Sequence, residues 1–99
     1  MRKIKKLVEA IEEEIESARE YAECYVERKA KGDLPIANRY KEMASDEIKH
    51  AMYLHEIAVA EIKEISKVYT PPADMEEKWN RSHKEYVEKA AWIKQMLAL

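Results

Sequence analysis

Glu47 and His50 stand one helical turn apart and offer the oxygen and nitrogen donors that iron, manganese and zinc accept. A Glu-x-x-His pair arises easily by chance in a chain this rich in glutamate. Glu14 gives the pair weight, because it falls between Ile11, Ala18 and Tyr21 and so lies within an apolar helical arc. Glu12, Glu13, Glu16 and Glu20 instead turn toward the edge or outer side of the same helix, where water solvates them. An ionisable group facing apolar neighbours is costly unless something compensates its charge. Two carboxylates brought together raise each other's pKa, and a divalent cation removes that conflict while using the same donor atoms.

Three amphipathic segments must position these groups. In the first, Ile4, Leu7, Val8, Ile11, Ile15, Ala18, Tyr21, Ala22 and Tyr25 recur at three-to-four spacing, which predicts a helix over about residues 2–30 closed by Gly32. Asp33 is expected to cap a second helix over 34–68, with Pro35 tolerated in its first turn. Its apolar stripe runs from Ile36 through Tyr40, Met43, Ala44, Ala51, Leu54, Ala58, Ile62 and Ile65 to Val68. Thr70-Pro71-Pro72 ends it. A third helix is predicted over 74–97, with Asp74 and Glu77 in capping-box positions and Met75, Trp79, Tyr86, Ala90, Ile93 and Leu97 on its inner face. Short connections make consecutive helices antiparallel neighbours. Folding the first hairpin about its turn sets residue numbers summing to roughly 61 opposite each other. Glu14 then faces Glu47, with His50 at the same level.

Composition agrees with one all-α domain spanning residues 1–99. The 99 residues are 46% hydrophobic and 38% charged, with a single Gly, which favours helices with charged outer faces over sheets or disorder. The net charge of −2 comes from interspersed Lys and Glu, so no basic block argues for nucleic acid. No apolar run is long enough for a membrane span, and Met1-Arg2-Lys3-Ile4-Lys5-Lys6 leads into no signal-type apolar region. One cysteine, Cys24, excludes an internal disulfide framework and suits a reducing compartment. A cytoplasmic protein is the expectation.

Glu14-x6-Tyr21 followed by Glu47-x2-His50 resembles one half of the ferritin-like di-iron proteins, especially rubrerythrin-type proteins and the short encapsulated ferritins. The similarity covers roughly residues 4–65. It implies that Glu14 is a terminal or bridging carboxylate, Glu47 the bridging one, His50 the imidazole ligand, and Tyr21 a hydrogen-bonding residue behind them. It also implies iron as the metal, ferroxidase-type activity, and dioxygen or peroxide as oxidant. A complete ferritin-like chain carries a second Glu/Glu-x-x-His set, whereas here the third helix brings Trp92, Ile93 and Met96 to that level. Encapsulated ferritins complete such half-sites across a dimer interface. The resemblance therefore implies a homodimer or higher homo-oligomer that forms a ferritin-like four-helix bundle. No cargo-type tail follows Leu97-Ala98-Leu99, so loading into an encapsulin shell has no support in the sequence. Leu54-His55 and the Pro71-Pro72 turn before a His-bearing third helix are also similar to small uncharacterised ferritin-like proteins of bacterial prophages.

Other uses of these residues stay open. Glu47 and His50 could belong to a structural ion-pair network with Lys or Arg, the site could hold zinc or manganese without turnover, or the chain could be a non-catalytic interaction module whose polar core residues fix register. Glu61 and His83 lie on apolar faces that the second hairpin brings to one level, which predicts a buried carboxylate–histidine pair, with an accessory metal site as the alternative. Tyr21 and Tyr40 read as amphipathic core tyrosines, His55 as a surface or interface residue, and Met43 and Met52 as packing. Cys24 lacks the basic partners of an activated thiol. Trp79, Trp92, Met96 and Leu97 either close the core or form an oligomer interface.

Overall fold

The computed structural model describes residues 2–99, which form α1 (Arg2–Ala30), α2 (Leu34–Ser66) and α3 (Ala73–Leu97), with no strand among the described residues. α1 and α2 are an antiparallel hairpin, since Lys3 meets Glu61, Glu14 meets His50 and Tyr21 meets Tyr40. α3 lies chiefly along α1 and only lightly against α2. The result is a rod of 55 × 17 × 17 Å.

The first turn forms as its residues dictate. Gly32 adopts φ +80°, a left-handed conformation, and the N–H groups of Gly32 and Asp33 donate to the carbonyls of Lys29 and Arg28 at 3.0 Å. The Asp33 carboxylate then accepts from the Ile36 N–H at 3.4 Å and caps α2. The far end of α2 differs from expectation. The helix stops at Ser66, and Val68 sits in the following turn, 80% exposed, ahead of the two prolines. At α3 the expected Asp74 capping box is replaced by a start at Pro72, which carries a helix-compatible φ of −57° and no side-chain cap. Asp74 and Glu76 fall inside the first turn, where acidic groups suit the helix dipole.

The seam between α1 and α2 is built on alanine: Ala18, Ala22, Ala37, Ala44 and Ala51 expose no surface. Small side chains let two helix backbones approach closely, while Ile11, Ile15, Ile48 and Tyr25 fill the space beside them. From α3, Ala90, Ile93 and Leu97 complete the same core. Ile36 and Met43, expected inside, remain 44% and 41% exposed, and Ile57 on the same heptad stripe is 48% exposed. They sit at the margin of an arc centred on Ala37, Ala44, Ala51 and Ala58, and no part of the described chain covers them. Met52 is likewise 43% exposed rather than packed. Among the described residues no helix is long and apolar enough to cross a membrane.

Candidate metal centre

Helical period puts Glu14 on the flank of α1 beside the alanine seam, and the Gly32–Asp33 turn sets the register that places α2 against it. His50 Nδ1 lies 3.6 Å from Glu14 Oε2 and 3.5 Å from Glu47 Oε1. One donor atom from each of the three residues falls within 4.8 Å of the others, and no other group of three such residues meets that spacing among the described residues. Atoms bound to one transition-metal ion at about 2.0–2.2 Å lie at most about 4.4 Å apart, so the two His50 separations suit a shared ion as they stand.

The electrostatics of the cluster are unresolved within the protomer. Glu14 Oε2 is buried and has no hydrogen-bond partner. Its neighbour Glu47 is held above the usual carboxylate range, first by a side-chain hydrogen bond with Glu14, then by burial and the Glu14 charge, with His50 pulling the other way. No lysine or arginine forms an ion pair with either carboxylate among the described residues, so the structural salt-bridge alternative lacks its basic partner. The donor set therefore fits a cation: two carboxylate oxygens, one of them orphaned, and an imidazole nitrogen. The Glu14 and Glu47 side chains are 28% and 24% exposed and His50 is 53% exposed, so the cluster opens outward on the face that also bears Met43 and Ile57. None of the three lines either principal surface groove.

Tyr21 stacks on Tyr40 with centroids 6.4 Å apart and interplanar angle 28°, an aromatic pair two helical turns from Glu14. Glu61 and His83 take separate partners instead of forming the expected buried pair. Glu61 accepts an ion pair from Lys3 at 3.0 Å, and His83 stacks on His55 with centroids 4.7 Å apart. His55 also stacks on Trp79 at 5.4 Å and Tyr86 at 5.6 Å, so the residue read as surface is the hub of an aromatic cluster joining α2 to α3. The signal in the sequence is the spacing of Trp79, His83 and Tyr86, which repeat at four and three residues on one helix face. His55 and His83 meet face to face, their rings 27° apart, and neither belongs to a group of three metal-ligating side chains within coordinating reach among the described residues. Trp92 is 69% exposed, Leu97 is buried, and Cys24 is a half-buried free thiol.

No family model, curated protein or solved structure matches the chain.

Proposed function

We propose that this protein binds a transition metal through Glu14, Glu47 and His50, and that two copies bring their clusters together to hold a pair of iron ions at which ferrous iron is oxidised by dioxygen or peroxide. The observation that carries the reading is the convergence of three donor atoms within 4.8 Å around a buried, unpartnered carboxylate oxygen. Bound iron would supply the redox chemistry that no side chain of this chain provides. Glu14 and Glu47 would hold the cations and offset their charge, and His50 would add an imidazole nitrogen from the exposed side. Alone, one protomer offers half a carboxylate-bridged site on an open face. The exposed Ile36, Met43 and Ile57 beside it give a second copy an apolar strip to bury, and closing that strip would shield the cluster from water. The four helices of two such hairpins form a ferritin-like bundle.

The same exposed strip favours a second reading, a dimer whose polar triad sets helix register without turnover. Zinc or manganese could also occupy the triad as a structural ion. Purified protein, analysed for metal per protomer and for Fe(II) oxidation alongside Glu47→Ala and His50→Ala, separates the three. Iron uptake and oxidation that both substitutions abolish is the expected result. A metal-free protein that leaves oxidation at the buffer rate supports the register-setting dimer, and bound zinc without oxidation supports a structural ion.

A further inference from the structure

The groove between α2 and the C-terminal end of α3 has a volume of about 460 Å³ and carries Lys41, Lys49 and Lys94. No carboxylate lines it, in a chain whose Asp and Glu, 20 in all, outnumber its 18 Lys and Arg. The other main groove, about 620 Å³ between the N-terminal ends of α1 and α3, mixes acidic and basic side chains in equal number. Among the described residues none of the three lysines forms an ion pair, and Lys41 rests over the Tyr25 ring at 5.6 Å with its charge uncancelled. Ile48, Met52 and Leu97 supply an aliphatic floor with no aromatic ring on which a nucleobase could stack. On the helix wheel Lys49 points about 160° away from Glu47, so the groove lies behind the metal-binding face.

Spacing decides the class of ligand. Lys41 and Lys49 are separated by about 12 Å along α2, too long a row for one phosphate or carboxylate head to neutralise, whereas a helix presents carboxylates at successive turns. Ser45 and Ala98 are small and let another helix backbone come close. We infer that this groove docks an acidic amphipathic helix of a partner protein, whose apolar anchors cover Met52 and Ile48 while its flanking carboxylates pair with the three lysines. The one acidic face of α2 with exposed apolar residues, Ile36, Met43 and Ile57 beside Glu42, Asp46 and Glu56, is already spent in the dimer proposed above, so a second copy is not the occupant. The acidic outer face of α1 lacks apolar anchors, because the apolar stripe of that helix is spent inside the hairpin.

The test is fluorescence anisotropy with a labelled peptide of about 18 residues, carrying Leu at i, i+3, i+4 and i+7 and Glu on the flanks. A matched peptide with Lys on the flanks serves as the comparison. The acidic peptide should bind the wild type at least about tenfold tighter than the basic one, and weaken as salt rises. Lys41→Gln, Lys49→Gln and Lys94→Gln together should remove that advantage, and the Glu triple variant should invert it, with helicity by circular dichroism unchanged. Equal binding of the two peptides, or acidic-peptide binding untouched by the Gln triple variant, overturns the proposal. Laurate binding that needs the same lysines while the peptide fails to bind overturns it in favour of a small amphiphile.

Discussion

The two histidine regions of this molecule use the same side chain in opposite ways. His50 meets carboxylate oxygens with a ring nitrogen and leaves half its surface to solvent, while His55 meets rings with its face and is half-buried between α2 and α3. Around His50 the neighbours are two carboxylates, the company that suits a cation bound between them. Around His55 the neighbours are the rings of Trp79, His83 and Tyr86. Burial first, and the nearby His83 charge second, push its pKa below the ordinary histidine value, against a small opposing pull from Glu56. What differs is the company of the imidazole, and it makes one region a candidate ligand cluster and the other a clasp for α3.

The largest effect that can break this comparison is loss of metal. Removing a residue that merely supports a ligand costs about 10–100-fold in affinity, so Glu47→Ala or His50→Ala should weaken iron binding by more than about 100-fold, measured by calorimetry. Trp79→Ala should leave that affinity unchanged. In urea, Trp79→Ala should instead cost about 1–3 kcal/mol of stability, below the range for a fully buried aromatic because Trp79 is only partly buried. If Trp79→Ala altered metal affinity, the two regions would not be independent. A third effect separates the open face from the clasp. Met43→Asp with Ile57→Asp should raise the dissociation constant of the proposed dimer at least about tenfold in sedimentation experiments and leave monomer helicity intact.

The smallest effects lie in pH. His55 binds its proton more weakly folded than unfolded, so the unfolded chain takes up more protons in that window. Its contribution is present above the ordinary histidine range and is lost as pH falls through the lowered value. His55→Gln should therefore flatten the fall in stability between about pH 7 and pH 5. Glu47 has the opposite sign. Its raised pKa means that metal-free protein regains stability as pH drops through it, so Glu47→Gln should stabilise the metal-free protein at neutral pH by less than about 1 kcal/mol and lose that advantage in acid. Thermal melts with chelator present measure both.

Periodicity made α1, the turn at Gly32 and the meeting of Glu14 with Glu47 and His50 legible, because a hairpin with a three-residue turn has little freedom of register. The second connection was less readable. Six residues with two prolines separate α2 from α3, and α3 lies mainly along α1, so reflecting α3 onto α2 alone misjudged what Glu61 and His83 would touch. Lys3 of α1 took Glu61 instead. Apolar identity also misled at Ile36 and Met43. A stripe shows which residues are apolar but not whether the rest of the chain covers them, and here it leaves both exposed.

The alanine seam acts as a distance gauge for the proposed metal centre. Ala18 lies one turn beyond Glu14, and Ala44 and Ala51 bracket Glu47, all without exposed surface, so backbone contact rather than side-chain adjustment sets the gap across which Glu14 and Glu47 meet. Coordination tolerates errors of only about 0.2 Å. A single methyl branch at Ala18 or Ala44 would widen the gap from a position that touches no ligand, and ionic radius, and with it the choice among metals, would be governed by a residue with no chemistry of its own.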